Sequence, residues 1–186
     1  MLFRSVPAED MRRGRAAAEN IIPQESRSPR MVVEVIPELA GKLTGFAMNV
    51  PVRNGSLVDL TCWFERPVTR TAINEVVRTA AASDRWRRIV QYEEDPIVST
   101  DVAQSSYSAI FDSLATMVIG ENVSKTLSWY DAGYGYAHRA VDLIERFAGR
   151  IGEIPIDVRL PRNVRAIVAA THGYHRIERS ILFHFL

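Results

Sequence analysis

Cysteine is almost missing from this chain: Cys62 is the single one among 186 residues, so no internal disulfide can form. Long apolar runs are missing too. No stretch approaches the roughly 20 residues needed to cross a bilayer, which excludes a helical membrane span, and a membrane is not an expected partner. Lysine is confined to Lys42 and Lys125, and the formal net charge of +1 provides no general field for steering polyanions. Nucleic acid is therefore not an expected partner, and the basic run Arg85-Trp86-Arg87-Arg88 reads as solvated surface. The N-terminal stretch MLFRSVPAEDMRRGR places no apolar core before its charges, so the expected location is cytoplasmic.

What is present is the composition of a globular domain, with 47% hydrophobic and 24% charged residues in a length that suits one compact unit. Phe46, Met48 and Val50 alternate with Gly45, Ala47 and Asn49, and Val58, Leu60, Cys62 and Phe64 alternate with Asp59, Thr61, Trp63 and Glu65. Both runs predict strands, and Asn54-Gly55 between them predicts a turn joining an antiparallel pair. Ser28-Pro29 opens an expected helix carrying Val32, Val33 and Ile36. Thr69 or Thr71 caps a second, with a stripe of Ile73, Val76, Val77 and Ala80, closed by Ser83-Asp84.

Short strand-like runs follow at 88–92, 97–100, 106–111, 117–119 and 123–130, and then a turn with Gly133 and Gly135. A last helix repeats Ala137, Ala140, Val141, Ile144 and Ala148 at helical spacing against polar Arg139, Asp142, Glu145 and Arg146, so that stripe is expected to lie on a core. The resulting pattern predicts an α+β fold: a mostly antiparallel mixed sheet with helices on one face.

Three segments carry a resemblance: RRGRAAAENIIP (12–23), IPELAGKLTGFAMNVPVRNGSLVDLTC (36–62) and SWYDAGYGYAHRAVDL (128–143). In this order they resemble the catalytic, C-terminal domain of phosphorylating glyceraldehyde-3-phosphate dehydrogenase. The resemblance runs from about Val6 to about Phe147 and implies a mixed sheet backed by helices, joined to an N-terminal dinucleotide-binding domain. It also implies a reaction in which a cysteine thiolate attacks an aldehyde, a histidine moves the proton, and NAD accepts hydride. Glyceraldehyde 3-phosphate is the implied aldehyde; relatives acting on erythrose 4-phosphate share the same motifs.

The parts of that machinery are unevenly present. The family's nucleophile, its histidine and its NAD domain all belong before Met1, so no catalytic and no cofactor-binding residue is expected in this chain, and no cofactor. Cys62 sits among apolar neighbours and reads as a structural thiol; His138 matches a position with no catalytic role. Arg13 matches an arginine that contacts the substrate phosphate. The Thr-Gly pair that cradles the attacking phosphate falls at Ser26 and Arg27, where serine keeps a hydroxyl and arginine obstructs close backbone approach. The second phosphate arginine is Asn49 here, and the asparagine that orients the nicotinamide amide is Ala132.

The expected organisation is a truncated dehydrogenase-like catalytic domain over 1–148 and an extension over 149–186 outside the family pattern. His172, His175 and Glu178 in the extension have helical spacing but read poorly as metal ligands, because Gly173 weakens a helix there and no cysteine joins them. No metal is expected. Three readings follow: a degenerate domain without catalysis of its own, a pseudoenzyme from glycolysis; a regulatory or binding subunit, in a homo-oligomer or joined to an intact dehydrogenase through the sheet face used in family tetramers; and half of a split enzyme. Asn49 and Ala132 weigh against the last.

Overall fold

In a computed structural model, residues 11–153 are described. The chain divides after Asn54 into two compact units, where length alone suggests one. In the first unit, β1 (Ile22–Glu25) and β2 (Phe46–Asn49) form an antiparallel pair running from Ile22↔Asn49 to Glu25↔Phe46. Ile22 is 2% exposed and anchors this unit. Between the strands lies α1 (Ser28–Val35), with proline in its first turn as expected and no buried residue.

The second unit contains β3 (Ser56–Trp63), α2 (Arg70–Ala82), β4 (Val90–Glu93), β5 (Ala109–Ile119), β6 (Val123–Tyr130) and α3 (Tyr134–Glu153). Its sheet has the order β3-β6-β5-β4, antiparallel except for the β4–β5 ladder. The architecture is α+β with a mixed, mainly antiparallel sheet, as the alternation of patterns indicates.

Thr69 caps α2, its Oγ1 accepting from the Ala72 amide at 3.1 Å, and alanine-rich turns carry the helix to Ser83, whose hydroxyl donates to the Ala80 carbonyl at 2.6 Å. Arg70 donates to the carbonyls of Ser113 and Leu114, and Asn74 to that of Ser113, so α2 is tied by side chains to β5. The Arg78 guanidinium lies 4.9 Å from the centre of the Tyr92 ring, which stacks on Phe111 at 5.9 Å. Phe111 and Ile110 are buried. Residues paired across a ladder share a face, so α2 covers the face holding Tyr92 and Phe111.

The other face carries Leu57, Trp63, Met117 and Ile119, exposed by 42%, 76%, 49% and 61%. On it Trp129 donates from Nε1 to Asp112 at 3.1 Å, and Lys125 pairs with Asp59 at 2.8 Å.

Several expectations are corrected. The Asn54-Gly55 turn does not join β2 to β3: β2 pairs with β1, and β3 with β6. A two-residue hairpin needs strands on both flanks, and here residues 50–55, including Pro51, separate them. The run 97–100 is not a strand, because the Val98 amide is captured by the Asp101 carboxylate at 2.7 Å and a turn forms. Residues 109–111 of the run 106–111 and the run 117–119 belong to the single strand β5, with 106–108 outside it; the strand is irregular between Asp112 and Met117, where the Asp112 side chain accepts from the Ala115 amide. Val58, Leu60 and Phe64, expected to flank Cys62 in a core, are 48%, 43% and 36% exposed.

The largest correction concerns α3. Its apolar side is open: Tyr136, Val141, Leu143, Ile144 and Phe147 are exposed, with Ala148 the buried exception. The packed part is the first half of its polar side, where Gly135 is buried and Arg139 and Asp142 are half-buried. Arg139 donates to the Arg88 carbonyl at 2.9 Å and to Ser108 Oγ at 3.4 Å and pairs with Asp142 at 2.8 Å. Gly135 faces the Tyr107 carbonyl so closely that a Cβ would stand 2.7 Å from it. These backbone-directed contacts set the rotation of the helix and turn the stripe outward.

The start of α3 is fixed by Asp131, 5% exposed. One carboxylate oxygen accepts from the amides of Gly133 and Tyr134, at 3.0 and 2.9 Å, and the other from the amide of Gln104 at 2.8 Å. Asp131→Ala leaves these donors without their acceptor and is expected to lower unfolding free energy in urea by about 3 kcal/mol, since bonds to charged groups contribute roughly 1.5–3 kcal/mol each before relaxation. Asp131→Asn should lose less. A change within about 0.5 kcal/mol, the size of an ordinary surface substitution, contradicts the role assigned to this carboxylate.

Candidate functional site

Arg13, Ser26, Arg27 and Asn49 lie in the first unit and Ala132 in the second. Arg13 is exposed in a turn-rich segment. Ser26 is half-buried, and its Oγ accepts from the Ser28 amide at 3.2 Å, a local turn that leads into α1. Arg27 occupies the N-cap of α1 at φ −84° and ψ −9°, and its side chain makes no capping bond. That backbone conformation is open to any residue, so nothing in the local fold requires glycine at 27.

Asn49 ends β2, half-buried, and its side-chain oxygen accepts from Gln24 Nε2 on β1 at 3.2 Å. The amide is thus engaged in a cross-strand bond with a neutral partner. A charged fork able to hold a phosphate is absent at this position. Ala132 is exposed in the turn before α3, and its methyl group can neither donate nor accept.

A shallow pocket of 360 Å³ lies beside α1, lined by Pro29, Arg30, Val33, Glu34, Gly41 and Leu43. None of the expected site residues lines it. Among the described residues no group of histidine, cysteine and carboxylates is placed to hold a metal, and no helix is long and apolar enough to cross a membrane. His172, His175 and Glu178 lie outside the described residues.

Cys62 is half-buried on β3 opposite Ser124, and desolvation pushes its thiol pKa up. A raised pKa lowers the thiolate fraction at neutral pH, the reverse of what a nucleophile needs. His138 lies against the Tyr134 ring at 4.9 Å on α3. The residue that the sequence reading undervalued is Asp131: a short acidic side chain just before a helix is itself a capping signal.

The class defined by these observations is an α+β domain with a mixed, mainly antiparallel sheet. Residues 3–132 match the family described as glyceraldehyde 3-phosphate dehydrogenase, C-terminal domain. The chain is 48% identical over 142 residues to testis-specific glyceraldehyde-3-phosphate dehydrogenase of Rattus norvegicus, covering 76% of this chain and 33% of that protein. It is 46% identical over 142 residues to glyceraldehyde-3-phosphate dehydrogenase of Borreliella burgdorferi, covering 76% and 42%, and 45% identical over 145 residues to that of Geobacillus stearothermophilus, covering 78% and 43%. The chain belongs to the glyceraldehyde-3-phosphate dehydrogenase family, through the C-terminal domain, and spans less than half the length of these relatives.

Alkylation by iodoacetamide reads the state of Cys62 directly. The rate should rise with pH along a curve displaced to higher pH than that of free cysteine, and at neutral pH should be slower. Coincident curves would contradict a desolvated thiol.

Proposed function

We propose that the polypeptide of these 186 residues is a dehydrogenase-family domain with no oxidoreductase activity of its own. The observation that carries this is Asn49, a neutral amide bonded to Gln24 at 3.2 Å where the family pattern calls for a phosphate-binding arginine. Ala132 supports the same reading, because a methyl group cannot orient a nicotinamide amide; the residues present do not fit NAD. Cys62, with its raised pKa, is a poor replacement for a catalytic thiolate. Arg13 and Ser26 keep the chemistry of phosphate ligands, arginine as a fork and serine as a hydroxyl. Titration with NAD, followed by calorimetry, tests the cofactor side: no saturable binding is expected, and saturation at micromolar NAD would overturn the reading.

A second reading is favoured by the open sheet face. Trp63, Met117 and Ile119 form apolar surface at one end of that face, and isolated monomers rarely leave large apolar patches bare. It supports a cytoplasmic regulatory or binding subunit that joins an intact dehydrogenase, or a second copy, through the sheet. A split enzyme is less well supported, since completion by another polypeptide leaves Asn49 and Ala132 in place.

Co-purification of the tagged chain with the host's intact dehydrogenase tests the subunit reading. Capture is expected with the native chain and is expected to fall at least about tenfold in Trp63→Glu/Ile119→Asp, because burying an unpaired charge costs several kcal/mol and 1.4 kcal/mol is already a factor of ten. Equal capture by both forms, or none by the native chain at micromolar concentration, rejects association with an intact dehydrogenase.

A further inference from the structure

The Asn54-Gly55 pair is left unused by both the hairpin it suggested and the dehydrogenase pattern. Asn54 is exposed. Gly55 stands at φ +87°, where side chains are rarely tolerated, and a Cβ built on it would fall inside the Ser99 backbone carbonyl. The fold therefore demands glycine directly after an exposed asparagine.

That demand has a chemical consequence. Attack of a backbone amide nitrogen on the preceding asparagine side chain is hindered mainly by the Cβ of the residue that carries the nitrogen, and glycine has none. The chain has six asparagines, and the other five precede isoleucine, valine or glutamate: Asn20-Ile21, Asn49-Val50, Asn74-Glu75, Asn122-Val123 and Asn163-Val164. Four of those five neighbours are β-branched and crowd the nitrogen. One position is thus singled out by both sterics and exposure.

We propose that Asn54-Gly55 is a self-modifying site that converts to isoaspartate in the folded protein. The Gly55 nitrogen loses its proton and bonds to Asn54 Cγ, the Cγ–Nδ2 bond breaks, and ammonia leaves, giving a succinimide. Water then opens the ring. Breaking the bond at the carbonyl of the former side chain gives aspartate; breaking it at the backbone carbonyl gives isoaspartate, in which the main chain runs through the former side chain. Solvent water is the sole co-reactant, and nothing is oxidised or reduced. Either product places a new carboxylate next to β3, and isoaspartate adds a methylene to the main chain beside the tight Gly55–Ser99 approach.

The test incubates the full chain, folded, at mildly alkaline pH and body temperature, then follows each asparagine-containing peptide by mass spectrometry. The peptide with Asn54 should gain one mass unit at least about tenfold faster than that with Asn122, an exposed turn asparagine followed by β-branched Val123. An isoaspartyl carboxyl methyltransferase with labelled S-adenosylmethionine should then label the aged protein and not Asn54→Gln treated alike. Conversion at Asn54 no faster than at Asn122, conversion seen only in urea-unfolded protein, or equal labelling of Asn54→Gln would each overturn the proposal.

Discussion

Both carboxylate oxygens of Asp131 face inward, and each holds backbone: one the first amides of α3, the other the amide of Gln104, which sits at φ 62°. A left-handed non-glycine residue is costly, and a buried carboxylate is costlier still unless its lone pairs are met. Here each supports the other. The amides satisfy the charge, and the charge holds the loop at Gln104 against the entry to α3. Tyr130, the last residue of β6, precedes this knot directly, so the direction in which the chain leaves the sheet is set there. Gly135, one turn on, admits the Tyr107 carbonyl, and Arg139 follows with its bond to the Arg88 carbonyl.

From that constraint follows the distribution of bare apolar surface. With Arg139 bonded to the Arg88 carbonyl and Gly135 against that of Tyr107, α3 presents Leu143, Ile144 and Phe147 outward. The helix pattern is that of a segment made to lie on a core, yet the described residues supply none for it. The sheet behaves alike: α2 covers one face only over β4 and β5, and the other shows Leu57, Met117 and Ile119. The proposed role as a subunit rests on these two surfaces.

Local features were legible in the sequence because their physics is local. Thr69 caps α2, Pro29 opens α1, and the strand-like run 123–130 matches β6, each set by neighbours a few residues away. Pairing was not legible. Asn54-Gly55 has the chemistry of a tight turn, but the partner of β3 is β6, more than sixty positions along, and no window of sequence contains both. The rotation of α3 was hidden for a different reason: an apolar stripe says which side seeks a core, not whether the core is present. At the candidate site, the neutral amide of Asn49 was plain from the sequence; its bond to Gln24 required the β1–β2 register. The capping work of Asp131 was within reach, since position and residue type both announce it.

The account turns on the claim that the chain has the family's fold without its chemistry. Spectrophotometric detection of NADH, with purified protein, NAD, inorganic phosphate and glyceraldehyde 3-phosphate and no other polypeptide, measures this most directly. The account predicts a rate equal to the protein-free background. NADH formation proportional to the concentration of the protein, and retained by Cys62→Ser or abolished by it, would in either case contradict the claim.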